Sequence, residues 1–246
     1  MYEGERAEAF AHLTGIADRT DPFFRHVRDA VAHSSTVLDI GAGSGRYALA
    51  LAPLAKEVVA IDPSEDLLAV LARQARARGL TNARSILGRW EDVEPIEADI
   101  SVCYGVMGHV EDAAPFFRKL DACTLGHVFV GIAAPIDVIR APLWRHFHDE
   151  PPPTYPAYLD ALAVLHELGI AAEAKVHERA SDAYAGMAAA VFAYRNMLRL
   201  PDSPVVNAEL EDVLSTWLVR RLDGTLRPPS RTYPYVTLTW KPRRGI

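Results

Sequence analysis

Short apolar runs rich in Val and Ile recur along the first 132 residues, with amphipathic stretches between them. Runs of this length read as strands buried on both faces rather than as helices. The pattern predicts strands at 36–40, 57–61, 83–87, 99–103 and 127–132, the third interrupted by Arg84 and Ser85. Helical periodicity falls near 45–54, 64–78 and 112–122. Asp21-Pro22 is a helix start, Asp as cap and Pro at the first helical position, and predicts a helix over about 22–34. Alternation of this kind argues for a parallel sheet with helices on both faces.

Beyond residue 132 the rhythm breaks. Pro135, Pro142, Pro151-Pro152-Pro153 and Pro156 punctuate 133–156, with Trp144, His146, Phe147, His148 and Tyr155 among them, and the stretch reads as a long structured loop. A helix over about 156–168 is expected next, its Leu residues inward and Gly169 as its stop. A strand follows near 171–178, then helices over about 182–199 and 206–222. Tyr235 to Trp240 alternates and reads as a closing strand. The two helices before it form a helical insertion, about 182–222. The expected fold is therefore α/β: a doubly wound, mostly parallel seven-stranded sheet with that insertion before its last strand. One domain over 1–246 is expected: N-terminal helices in 1–35, a ligand-binding half in 36–132, and an acceptor-side half in 133–246.

Composition narrows the function. The formal net charge of −6 makes the chain a poor non-specific ligand for phosphate backbones, so nucleic acid is not an expected partner. Neither of the cysteines, Cys103 and Cys123, sits in a metal-like spacing, and a reducing, cytoplasmic setting fits. Met1 to Asp18 lacks the continuous apolar core of a secretory leader, and no run approaches a membrane span, so no membrane partner is expected.

The most informative stretch is Val37-Leu38-Asp39-Ile40-Gly41-Ala42-Gly43-Ser44-Gly45-Arg46, a strand running into a glycine-rich turn and then a helix. Glycine at every second position brings a ligand close to backbone N–H groups. The dinucleotide fingerprint Gly-x-Gly-x-x-Gly fails here. Counted from Gly41 its third glycine is Arg46, and counted from Gly43 it is Ala48. The pattern is Asp-x-Gly-x-Gly-x-Gly, and an acid at Asp39 opposes a phosphate while suiting a ligand with a cationic amine. The next strand, Val58 to Ile61, ends in Asp62-Pro63. A carboxylate there can accept two hydrogen bonds at once.

Val37 to Ala50 resembles the first motif of the class I S-adenosylmethionine-dependent methyltransferases, and Asp62 resembles the acid of their second. The resemblance covers roughly residues 30–132 and implies S-adenosyl-L-methionine as cofactor. It implies cofactor contacts from Asp39, Gly41, Gly43, Gly45, Arg46, Asp62 and Pro63, with Asp62 on the ribose hydroxyls. Gly88-Arg89-Trp90-Glu91-Asp92 matches the adenine-facing loop, but Arg89 stands where many members carry an acid. Trp90 and Glu91 are then the expected adenine contacts, by backbone N–H, stacking or both, with Trp90 equally readable as core. Asp99 at the start of the fourth strand reads as structural. Tyr104 ends that strand beside the ligand, and His109 is the candidate base or substrate-positioning residue, with a locally bonded helix-start histidine as the alternative. Trp144, His146, Phe147 and His148 are candidate acceptor contacts. No metal is expected, although His146 and His148 with Asp149 form a conceivable cation site. Tyr2 and Phe10 would lie across the donor site. The reading is methyl transfer by in-line displacement to a small-molecule acceptor, with a homodimer left open. A non-catalytic S-adenosylmethionine-binding subunit or sensor is the alternative.

Overall fold

The computed structural model describes residues 4–133, 140–152, 158–180, 183–229 and 232–242. Tyr2, Pro135, Pro153, Tyr155 and Pro156 lie outside them. Strands β1 (Thr36–Ile40), β2 (Glu57–Asp62), β3 (Ala83–Leu87), β4 (Ala98–Tyr104) and β5 (Thr124–Ala133) match the apolar runs. With β6 (Glu173–Ala180) and the last strand, Thr232–Trp240, they form a seven-stranded sheet. Between these two come the short strands β7 (Val219–Arg220) and β8 (Leu226–Arg227), so the last strand is β9. The sheet order is β3-β2-β1-β4-β5-β9-β6, with β1 to β5 parallel and β9 antiparallel to β5.

The helices are α1 (Glu5–Thr14), α2 (Pro22–Arg28), α3 (Ala48–Leu51), α4 (Glu65–Ala77), α5 (Ala113–Cys123), α6 (Arg140–Phe147), α7 (Tyr158–Glu167), α8 (Met187–Met197) and α9 (Pro204–Trp217). Strand periodicity sorts the core into two layers. On one face Val37, Val58, Ala60, Val102 and Phe129 pack with Phe23 and Phe24 of α2, Leu49 of α3 and Leu71 of α4. On the other, Leu38, Ile40, Val59, Ile61, Val128 and Val130 pack with Phe116, Phe117 and Leu120 of α5 and Leu165 of α7. Burial on both faces is why these strands read as unbroken apolar runs. Asp99 pins β1 to β4: its Oδ2 accepts from the Thr36 N–H at 2.7 Å and hydroxyl at 2.9 Å.

Four expectations are corrected. Helix α2 ends at Arg28 rather than near 34, where the Ser35 hydroxyl accepts from the Ala32 N–H at 3.1 Å and holds the chain in a turn. Helix α3 is brief: it starts only at Ala48, because the positive φ of Gly45 ends the turn, and Pro53 shifts Ala52–Leu54 into 3-10 geometry. The 133–156 loop contains α6, because Pro142 falls in its first turn, where the missing N–H has no helical partner to lose. The helix expected to reach 222 stops at Trp217, and a hairpin follows, β7 and β8 flanking Asp223-Gly224.

The chain divides into two compact units: Met1–Ala134, Tyr155–His177 and Pro234–Ile246 in the first, Pro135–Thr154 and Glu178–Tyr233 in the second. The half expected at 133–246 is thus shared between them. In the second, Leu210 and Leu214 of α9 and Val191 and Tyr194 of α8 are buried, and Arg195 Nη1 donates to Asn207 at 2.9 Å. Among the described residues no helix is long and apolar enough to cross a membrane.

Candidate active site

In the first unit β1 lies between β2 and β4, so the crossovers leave it in opposite directions. The carboxyl ends of β1 and β4 form the crevice where open α/β sheets bind ligands. The glycine turn emerges there. Its Gly41 and Ala42 N–H groups donate to the Ile61 carbonyl at 2.8 and 3.0 Å, holding the turn against the end of β2. A Cβ at Gly41, where φ is +69°, would stand 2.2 Å from Val106 Cγ2. Gly45, at φ +92°, faces Leu49 and Leu71 at 2.8 and 2.9 Å in the same sense. These two positions therefore require glycine for space as well as conformation.

Asp62 is the hub. Its Oδ2 accepts from the Gly43 N–H at 2.8 Å and its Oδ1 from the Ser64 N–H at 2.9 Å. One carboxylate thus joins the glycine turn to the start of α4, while each oxygen keeps lone-pair capacity for a further donor. Pro63 beside it is exposed. Asp39 Oδ2 accepts from the Ala48 N–H at 2.9 Å and caps α3. Burial pushes the Asp39 carboxyl up to about 7, with the Asp62 charge adding to the rise. Burial also raises Asp62, against the lowering effect of the Ser64 and Gly43 N–H bonds and, least, of His109.

Arg46 is committed to structure: its Nη2 pairs with Asp21 Oδ2 at 2.7 Å and its Nη1 donates to the Thr14 carbonyl. The same Asp21 oxygen accepts from the Tyr47 hydroxyl at 3.1 Å, and its Oδ1 accepts from Phe23 and Phe24 N–H to cap α2. Tyr104 stacks on Tyr235 with centroids 4.5 Å apart and meets Phe23 at 5.0 Å and Tyr47 at 4.8 Å. His109 sits exposed in a 3-10 turn, Met107–His109, after β4, its N–H donating to the Val106 carbonyl at 2.8 Å. Helix α1 brings Phe10 against Gly43, 3.5 Å from where a Cβ would lie, and the Thr14 hydroxyl 3.4 Å from that of Ser44.

Trp90 is buried among Ile61, Phe116 and Leu120 rather than presented for stacking. Its Nε1 reaches the Phe116 carbonyl at 3.4 Å, and Lys119 Nζ lies 4.4 Å from its ring centroid. The stacking role is thereby corrected: the side chain is core, and the backbone N–H is what the loop can offer. Glu91 is held by Arg89 at 3.6 Å.

Residues 37–124 match a family model described as a methyltransferase domain. This segment is a methyltransferase domain. The methyltransferase domain is 33% identical over 86 residues to the uncharacterized methyltransferase YcgJ of Bacillus subtilis, 34% of each chain. It is 36% identical over 99 residues to a ubiquinone biosynthesis O-methyltransferase of Methylococcus capsulatus, 38% of this chain and 40% of that one. The matches therefore span well under half of these relatives. The crystal structure of YcgJ superposes with a TM-score of 0.62 at 18% identity, over 91% of this chain and 98% of that one, which establishes the shared fold.

The family's cofactor, S-adenosylmethionine, suits the site of the methyltransferase domain. It carries a sulfonium and an ammonium, and the raised carboxyls of Asp39 and Asp62 are groups whose charged form a cation favours. The candidate acceptor residues lie in the second unit and are engaged within it. Trp144 Nε1 donates to the Glu150 carbonyl at 3.0 Å, and its ring stacks on His148 at 4.0 Å. His148 Nε2 donates to the Leu198 carbonyl at 2.8 Å, His146 Nε2 meets Glu209 at 3.1 Å, and Phe147 packs edge-on against His146. The two imidazoles thus face different partners, and among the described residues no cluster of three or more metal-ligating side chains occurs. Reading the sequence missed Asp21 as a second-duty residue, Val106 against Gly41, and Lys119. Only Asp21 left a signal, as a cap.

Proposed function

We propose that the protein transfers the methyl group of S-adenosylmethionine to a small-molecule acceptor. The observation that carries this reading is Asp62, buried at the end of β2 and bonded to Gly43, beside the topological switch point. Bound there, the cofactor supplies an electrophilic methyl carbon. Asp62 would accept both ribose hydroxyls, and the Trp90 and Glu91 N–H groups would face the base. Asp39 favours the cationic end through its charge. An in-line displacement chiefly requires that donor and acceptor be held in line. His109, exposed in the turn after β4, would orient an acceptor or take its proton. The net charge of −6 supports a small acceptor over a nucleic acid, and the free, buried Cys103 and Cys123 agree with a reducing cytoplasmic setting.

Calorimetry with S-adenosylhomocysteine tests the donor half. Wild-type protein should bind it, and Asp62→Ala should weaken binding by about 100-fold, the loss of two charge-assisted hydrogen bonds. Labelled methyl transfer into a metabolite extract tests the rest. Donor binding without labelled product across broad extracts would favour a binding subunit instead.

A further inference from the structure

Three imidazoles gather on the α2 side of the sheet in the first unit, none of them assigned a role above. His26 comes from α2, His127 from β5 and His177 from β6, the edge strand beside β9. The His26 ring stands 6.3 Å from that of His177 and meets Phe129 edge-on at 5.2 Å, while His127 stacks on the same Phe129 at 6.0 Å. His177 Nε2 lies 2.7 Å from the buried Thr237 hydroxyl of β9. His26 Nδ1 is buried and has no hydrogen-bond partner among the described residues. A polar ring nitrogen left unpaired there costs stability that a phenylalanine in its place would not.

The surroundings oppose a proton on either ring. Burial is the larger cause and holds both below the ordinary histidine value, and the Lys175 ammonium, two residues before His177 on the same face of β6, comes next. At His26, Asp29 and Glu173 favour a proton and His127 opposes it. At His177, His26 and Arg25 oppose it and Asp21 favours it. His127 is itself lowered by burial and by Lys241. The folded state therefore binds fewer protons than the unfolded chain, so stability from the pair is complete above 6.5 and lost as pH falls through the folded values.

Helix α2 links the pair to the donor site. Its cap, Asp21, holds Arg46 Nη2 at 2.7 Å and the Tyr47 hydroxyl at 3.1 Å, the two residues that follow Gly45. Phe23 on the same helix meets Tyr47 and Tyr104 edge-on, each at 5.0 Å. Because α2 is only seven residues long, a shift at His26 reaches Asp21 and the glycine turn.

We propose that His26 and His177 form a proton-operated catch on α2: neutral, they let the helix seat on the sheet; protonated, the two cations and Lys175 push it away, and Asp21 loosens its hold on the glycine turn, so that donor affinity falls on acidification. This rests on the donor reading above.

The test compares wild-type protein with His26→Phe, whose ring cannot take a proton, by calorimetry with S-adenosylhomocysteine and by thermal unfolding at about pH 7.5 and about pH 5.5. Asp39 and Asp62 are present in both proteins, so the difference between them isolates the pair. On acidification wild-type affinity should fall by about tenfold more than that of the variant, the worth of one hydrogen bond to the turn. The variant's Tm should gain on wild type by about 3 °C over the same range. Should His26→Phe fail to fold, His177→Gln, which keeps a partner for Thr237 and cannot be protonated, serves on the same two differences, with the same signs expected. A histidine that merely packed would shift affinity and Tm equally at both pH values, and that result would overturn the proposal. Wild-type protein that binds no S-adenosylhomocysteine at either pH would overturn the donor reading and this inference together. Binding whose loss in acid is the same in the variant would overturn this inference alone.

Discussion

Gly41→Ala puts the packing of the glycine turn to a direct test. Two costs add. At φ +69° an alanine occupies the left-handed region, a penalty of about 1 kcal/mol. Its Cβ would also stand 2.2 Å from Val106 Cγ2, and relieving such overpacking costs about 1–3 kcal/mol. The sum, about 2–4 kcal/mol, corresponds in a chain of 246 residues to a fall in Tm of roughly 5–15 °C. The assay is thermal unfolding of a double-mutant cycle with Val106→Ala. That change removes the γ carbons at 2.2 and 3.6 Å and leaves a β carbon at an ordinary 3.5 Å. The coupling should therefore be favourable by about 1–3 kcal/mol, with the conformational penalty unrelieved. Because Val106 leads into the turn bearing His109, Gly41→Ala should also weaken S-adenosylhomocysteine binding well below its Tm. A single variant melting within about 1 °C of wild type, or a cycle with no coupling, would show that the close approach of Gly41 to Val106 is not a constraint on this fold.

Further outcomes follow from other contacts. Folding raises the Asp39 carboxyl from its usual 3.8 to about 7, so the folded state binds the extra proton and stability is lost as pH rises across that window. At about 1.4 kcal/mol per unit the loss is roughly 4 kcal/mol, and Asp39→Asn, which still accepts from Ala48, should flatten the pH dependence in denaturant titrations between about pH 4 and 8. Asp99→Ala removes the acceptor of both Thr36 bonds and should cost about 2–3 kcal/mol in chemical denaturation while leaving S-adenosylhomocysteine affinity unchanged within about twofold. His148→Ala deletes the ring on Trp144 and the bond to Leu198, and should destabilise the second unit by about 1–3 kcal/mol, visible by hydrogen exchange in α6 and α8.

Much of the first unit was legible because the information is local. Continuous Val and Ile runs gave β1, β2, β4 and β5 to within a few residues, and the edge position of β3 explains the polar Arg84 and Ser85 that obscured it. Asp21, Ser64 and Asp112 cap the helices that follow them, as short polar side chains before an apolar repeat should. The second unit was harder. Pro142 looked like a breaker but sits where a helix tolerates it, and the hairpin strands β7 and β8 are too short to show alternation. In the site, Asp62 and the glycines are a local pattern with a chemical reason. The partners that fix Trp90, Arg46 and His148 come from 29, 25 and 50 residues away, and no local pattern marks such pairings. Trp90 shows the limit most clearly, since its sequence position suited a ligand-facing residue while Lys119 and Phe116 make it part of the core.

The bond between Gly43 and Asp62 also bears on kinetics. A glycine-rich turn has much conformational freedom to lose, and here it is already fixed by a side chain of the neighbouring strand. Ordering it is completed during folding, so a ligand arriving at the turn meets a rigid surface. Association should then show a single fast phase whose rate scales with ligand concentration, without a slow rearrangement step, and changes around Asp62 should act on residence time far more than on the rate of arrival.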